Sequence, residues 1–142
     1  MSSRHETNSP DQTEAIAAEL AARLAAGDVV LVEGELGTGK TTFVRGACRA
    51  LGVEGVVTSP TFTIGQRYPA IVPVSHLDLY RVADLGEEDP DLLDDYLGPD
   101  RIAFVEWPHS AVTAIAGLSH VAARVMIEHG GGDRRVLTIE AA

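Results

Sequence analysis

Lysine and asparagine are almost missing from this chain of 142 residues. Lys40 is the one lysine among 11 basic residues, and Asn8 is the one asparagine. Cys48 also stands alone, which excludes an internal disulfide and any thiolate metal cluster. Aromatic residues are 5% of the chain, so a core has to come from aliphatic side chains and alanine. There is no continuous apolar run of about 18 residues, the length a membrane-spanning helix needs. Met1–Pro10 is polar and lacks the apolar stretch of a secretory signal, so the expected location is cytoplasmic, with no membrane partner. Basic residues are outnumbered by 21 acids, for a net charge of -10. Such a surface repels nucleic-acid phosphates overall, while leaving room for a local basic patch or for RNA held by a partner. The length is that of one domain, and a 45% hydrophobic content argues against disorder over most of it. Residues 1–8 read as a flexible tail and residues 9–142 as a single domain.

What is present alternates between helical and strand signals. Ser9-Pro10-Asp11-Gln12 has the form of a helix start, with Ser9 as cap, Pro10 at the first helical position and Gln12 where a capping-box partner stands. Ile16, Leu20 and Leu24 are spaced by four, which predicts a helix to about Ala26, closed by Gly27-Asp28. Val29–Val32 is a continuous β-branched and aliphatic run, the pattern of a strand covered on both faces in a parallel sheet. A second helix is expected over about 40–51, burying Phe43, Val44, Ala47, Cys48 and Leu51. Further strands are expected at 62–68, 71–78 and 101–106, with a helix fragment at 111–118. Residues 84–95 hold seven acids and no base, read as a solvated acidic face with a short helix beneath it. Two alternating runs around Gly130–Asp133 predict a C-terminal β-hairpin.

The chemistry concentrates between the first strand and the second helix. Residues 34–41 read Gly-Glu-Leu-Gly-Thr-Gly-Lys-Thr, which satisfies G-x-x-x-x-G-K-[ST] in full and sits in the strand-to-helix context that motif requires. Glycines let the backbone curl so that several N–H groups face one centre, and the helix N-terminus adds partial positive charge. Glu35, Leu36, Gly37, Thr38, Gly39, Lys40 and Thr41 are therefore candidate nucleotide-binding residues. Lys40 bridges the outer phosphates and Thr41 directs its hydroxyl at Mg²⁺. In a chain that otherwise uses arginine, the lone lysine occupies the place where a compact point charge is needed. Glu33 and Glu35 beside an anion site are expected to point outward or to pair with arginines.

Guanine-specific sites commonly read the base with Asn-Lys-x-Asp. With Asn8 and Lys40 the only residues of their types, no such loop exists, and ATP is the expected nucleotide. Hydrolysis needs acids near the metal and the γ-phosphate. Asp78, in His76-Leu77-Asp78-Leu79-Tyr80-Arg81, and Glu106, after Ile102–Val105, both stand at expected strand ends, where ligands of open α/β sheets bind. Both are candidate catalytic and metal-binding acids. Thr61, after Ser59-Pro60, is a candidate reporter of nucleotide state. His76 reads equally well as a core histidine. Trp107 is open between the nucleotide site, a partner and the core.

In combination these landmarks resemble the TsaE (YjeE) family of bacterial P-loop ATPases. The matching series is Gly34–Thr42 with Phe43-Val44-Arg45-Gly46, then Thr58–Thr63, then His76–Arg81, then Glu106-Trp107-Pro108. The resemblance implies a P-loop NTPase-like three-layer α/β fold with a central, mostly parallel sheet. It implies slow, Mg²⁺-dependent conversion of ATP to ADP and phosphate in support of the TsaB–TsaD pair, which installs threonylcarbamoyladenosine on tRNA. tRNA is then met through the complex rather than directly. Thr42 is implied to lie beside the nucleotide, Thr61 in a switch-like loop, Asp78 as an essential acid, Glu106 as a Mg²⁺-associated acid, and Trp107 by the site or the partner surface.

Two other readings compete. A small metabolite or nucleoside kinase shares the loop but usually carries a basic lid, against which the acidic 84–95 segment counts. A nucleotide-binding scaffold without chemistry has no need of both Asp78 and Glu106.

Overall fold

The computed structural model describes residues 2–35, 37–58, 64–80, 93–108 and 111–142. The elements run β1 (Ser2–Thr7), α1 (Pro10–Ala21), β2 (Asp28–Gly34), α2 (Lys40–Ala50), β3 (Gly65–Tyr68), β4 (Val74–Asp78), β5 (Ile102–Glu106), α3 (Val112–Leu118), β6 (His120–His129) and β7 (Arg135–Ala141). The strands form one sheet in the order β1-β7-β6-β2-β5-β4-β3. Its four central strands, β6, β2, β5 and β4, are parallel neighbours. The three outer pairings, β6–β7, β7–β1 and β3–β4, are antiparallel. The expectation of a mostly parallel sheet therefore holds for the centre, while the flanks are antiparallel.

β2 is apolar at every central position because both its faces are covered. Val30 and Val32 join α1 and α2 through Ala17, Leu20, Phe43, Val44, Ala47 and Cys48. Val29 and Leu31 face the other way, into a cluster with Leu77, Val105, Ile115, Leu93 and Leu97. Sheet, paired helices and the α3 side make three layers. Burial pushes the Cys48 thiol up to about 12, the behaviour of a core residue rather than a reactive one. α1 begins as its sequence predicts: the Gln12 N–H donates to Ser9 Oγ at 3.3 Å, and Gln12 Oε1 accepts from the Asn8 N–H at 2.7 Å.

Several boundaries differ from the sequence reading. The N-terminal segment is not a loose tail. Ser2–Thr7 pairs in register with Arg135–Glu140 as edge strand β1, and Thr7 is buried with its hydroxyl 2.8 Å from that of Thr13. Its composition carries no apolar alternation because an edge strand can be held by backbone bonds alone. α1 stops at Ala21, and the chain reaches Gly27 through tighter turns, Arg23 N–H to Leu20 O and Leu24 N–H to Ala21 O. The strand expected at 71–78 begins only at Val74. Pro73 lacks the N–H a ladder needs, and Ile71 is 99% exposed. β3 spans Gly65–Tyr68, and residues 62 and 63 of the strand expected at 62–68 lie outside the described residues. In the acidic segment, Leu93 and Leu97 are buried while Asp94 and Asp95 are exposed. Residues 84–92, with the short helix expected there, lie outside the described residues. The C-terminal hairpin is β6–β7.

Candidate functional site

β2 ends at Gly34 and α2 begins at Lys40, so the loop between them opens at the carboxyl end of the parallel strands. Gly34 has φ +152°, and a Cβ there would stand 2.4 Å from the Ile127 carbonyl oxygen. No side chain fits. Gly39 is the N-cap of α2 in left-handed backbone at φ +100°, and no side chain among the described residues caps the helix. The first N–H groups of α2 are thus left to a ligand or to water. The loop is braced from within and from outside. Thr38 Oγ1 donates to Glu35 O at 2.8 Å. From β7, Arg135 Nε donates to Thr38 O at 3.1 Å and Nη2 to Gly37 O at 3.4 Å.

Facing the loop is a wall of acids set by strand register. Asp78 lies opposite Glu106 across β4–β5, and Glu106 lies opposite Val32 across β5–β2. All three side chains therefore share the face covered by α2. The ladder continues past the strand ends, through Leu79 N–H to Glu106 O at 3.0 Å and Trp107 N–H to Val32 O at 3.1 Å, which fixes the height of both acids. Glu106 is 2% exposed. Its carboxylate accepts from Thr41 Oγ1, 3.3 Å from Oε2 and 3.5 Å from Oε1, and is hydrogen-bonded to His76 Nε2. Asp78 is half-buried, with Oδ1 accepting from the Tyr80 N–H at 3.0 Å.

Lys40 lies between loop and wall. Its Nζ donates to Gly34 O at 2.9 Å and Glu35 O at 2.8 Å, and sits 4.3 Å from the centre of the Trp107 ring. Burial lowers its pKa, while the charges of Glu106 and Asp78 pull it back up. Trp107 has φ +54°, a left-handed backbone that costs a non-glycine residue about 1–3 kcal/mol. That conformation places its indole over Lys40, backed by Tyr80 with ring centres 4.9 Å apart. Gly37, Gly39, Lys40, Thr41, Thr42, Asp78, Glu106 and Trp107 together line a cleft of about 310 Å³.

The cleft therefore gathers most of the residues singled out from sequence. Glu35 is exposed and contributes its carbonyl rather than its carboxylate, and Glu33 pairs with Arg124 at 3.1 Å. Thr38 is buried behind the loop. Leu36, Thr61 and Arg81 lie outside the described residues. Arg45 and Arg67 donate to Val57 O and Asp95 O respectively. Arg135 escaped the sequence reading, since its link to the loop exists only through the β6–β7 pairing. Among the described residues no group of three or more His, Cys, Asp or Glu could hold a metal alone. A site of two carboxylates and a hydroxyl suits Mg²⁺, which usually shares its shell with substrate phosphates and water. No helix among the described residues is long and apolar enough to cross a membrane.

The chain is similar to known proteins in sequence and in fold. The chain is 39% identical over 137 residues to a Bacillus subtilis protein named tRNA threonylcarbamoyladenosine biosynthesis protein TsaE, covering 95% of this chain and 83% of that one. A Streptomyces coelicolor protein of the same name is 41% identical over 117 residues, covering 80% and 77%. The crystal structure of Bacillus subtilis YdiB superposes with a TM-score of 0.78 at 33% identity, over 99% of this chain and 86% of that one. The family model described as threonylcarbamoyl adenosine biosynthesis protein TsaE matches residues 7–136, and the chain belongs to that family.

Proposed function

We propose that the chain is a Mg²⁺-dependent ATP hydrolase whose turnover supports a TsaB–TsaD transferase pair in forming threonylcarbamoyladenosine on tRNA. The observation that carries this reading is the convergence of Lys40, Thr41, Asp78 and Glu106 on one cleft beside an uncapped helix N-terminus. The residues fit the nucleotide and its metal. The glycine backbone leaves room for phosphate oxygens, and a buried ammonium held by two carbonyls and a ring gains from an anion.

In this reading the N–H groups of the loop and of α2 bind the phosphates, and Lys40 turns from the Gly34 and Glu35 carbonyls to the outer phosphate oxygens. Thr41, Asp78 and Glu106 hold Mg²⁺, directly or through its waters. When bound, Mg²⁺ neutralises charge on the β- and γ-phosphates. Asp78 and Glu106 orient water for attack on the γ-phosphate. Trp107 and Tyr80 wall the cleft and limit access of bulk water. The net charge of -10 favours meeting tRNA through the partner proteins rather than by direct capture. Thr61 belongs to the same proposal as a residue that senses the γ-phosphate.

The test is phosphate release from Mg·ATP by the chain alone, then with TsaB–TsaD and cognate tRNA added. Slow turnover that rises only with the assembled complex is the expected result. Phosphorylation of a small acceptor in place of phosphate release would favour a kinase.

A further inference from the structure

We propose that His76 is a positioning residue for this cleft, its ring holding the Glu106 carboxylate in the orientation that serves the metal. The inference rests on the Mg·ATP reading above and adds a residue to it. His76 is fully buried in β4, on the face it shares with Asp78 and Glu106. An aliphatic residue would fill that place at lower desolvation cost, so the imidazole needs a reason. Among the described residues the ring makes one hydrogen bond, between Nε2 and Glu106 Oε2. Its Nδ1 is buried and has no hydrogen-bond partner among the described residues. A histidine retained for stability normally satisfies both nitrogens. This one is aimed at a single carboxylate.

The bare Nδ1 also locates the hydrogen. A hydrogen on Nδ1 would be a buried donor with no acceptor among the described residues, whereas a hydrogen on Nε2 meets Glu106. The carboxylate is then gripped from below by an N–H and from above by the Thr41 hydroxyl. Thr41 donates its hydrogen downward, which leaves its oxygen lone pairs for a cation on the cleft side. Remove the imidazole, and Glu106 is free to swing toward the ammonium of Lys40. Thr41 then loses the acceptor that sets its own hydroxyl. Partners that orient metal ligands in this way typically account for about 10–100-fold in metal affinity or activity.

The experiment compares His76→Leu, which fills space without a donor, with His76→Gln, whose amide reaches as far as Nε2, and His76→Asn, which falls short. Mg²⁺ dependence of ATP binding is measured by calorimetry, with kcat and KM for ATP and the melting temperature alongside. Leu and Asn should raise the Mg²⁺ requirement and lower kcat by about 10–100-fold, with KM for ATP little changed. Gln should recover most of both. The side-chain ¹⁵N spectrum of the unsubstituted protein should show the hydrogen on Nε2, with a resonance that moves in Glu106→Gln. Wild-type Mg²⁺ dependence in His76→Leu, losses in all three variants that track only their melting temperatures, or a hydrogen on Nδ1 would overturn the proposal. If the unsubstituted chain does not bind Mg·ATP, the reading of the cleft fails instead. Should His76→Leu not fold, the Gln and Asn pair and the spectrum still decide.

Discussion

The two sides of the cleft are built by different means. The phosphate loop is one continuous stretch, Gly34 to Thr42, and its shape comes from backbone that only glycine adopts at little cost, at Gly34 and Gly39. The acidic wall is assembled from separated strands, with His76 and Asp78 on β4 and Glu106 on β5. Its geometry comes from register. A slip of one residue in β4 or β5 would turn these side chains to the opposite face. The loop therefore depends on local conformation, and the wall depends on the whole sheet pairing correctly. Thr41 ties the two together by a hydrogen bond, as the second residue of α2 with its hydroxyl on Glu106.

The sharpest test of this contrast separates holding the nucleotide from cleaving it. Lys40→Ala removes the cation of the loop side, which in the proposed function meets phosphate in the ground state and in the transition state alike. Nucleotide affinity and turnover should both fall, turnover by about 100-fold or more. Asp78→Ala removes a group of the wall, and turnover should fall by a comparable factor while affinity stays within about threefold. Equilibrium binding of a fluorescent ATP analogue, run beside phosphate release, distinguishes the two patterns. Identical losses of binding in both variants would erase the division between the two sides.

A second substitution strikes both sides through the element that joins them. Gly46 lies where α2 crosses α1, and a Cβ there would stand 2.5 Å from Glu14 Cα and 2.6 Å from Glu14 O. These are backbone atoms and cannot rotate aside, so Gly46→Ala must part the helices. Overpacking of this kind costs about 1–3 kcal/mol, despite the better helix propensity of alanine. Urea unfolding should show that loss. Cys48, buried on the same helix with its pKa pushed up to about 12, should become more reactive to a thiol reagent at pH 8. Since α2 carries Lys40 and Thr41, displacement should weaken hydrolysis as well. Unchanged stability with unchanged thiol reactivity would mean that the crossing is looser than its geometry indicates.

The same contrast explains what the sequence discloses. The loop is legible because its spacing, glycines and lysine are adjacent in the chain. β2 is legible because a strand covered on both faces is apolar through its centre, Val29–Val32, with its polar residues confined to the ends. Asp78 and Glu106 can be singled out as acids at strand ends, but their opposition in the sheet is a property of pairing. The link of His76 to Glu106 cannot be read from spacing either, because a buried histidine bonded to a carboxylate has the same local pattern as one packed in a core. β1 is hidden for a different reason. Ser2–Thr7 alternates no apolar residues, and its order comes from backbone bonds to β7 supplied by the far end of the chain.

Arg135 gives the smallest and most specific way to blur the contrast, because it lends the local loop a contact that depends on sheet pairing. Its guanidinium donates to Thr38 O and Gly37 O, and also to Gly132 O at 2.8 Å and Arg134 O at 2.9 Å. The loop and the β6–β7 turn are thus held on one planar group, an arrangement that lysine cannot reproduce. Arg135→Ala leaves the loop carbonyls to water and lets Gly37 and Thr38 shift. Hydrogen bonds to a charged group are each worth about 1.5–3 kcal/mol at most, and water replaces part of that here. Nucleotide affinity should fall by roughly tenfold, about 1.4 kcal/mol, with turnover of the bound complex close to that of the unsubstituted protein. Arg134→Ala is the control, because Arg134 pairs with Glu6 at 2.6 Å on the exposed surface and should leave affinity unchanged. If Arg135→Ala and Arg134→Ala bind nucleotide equally well, the loop holds its shape without β7, and its independence from the sheet is complete.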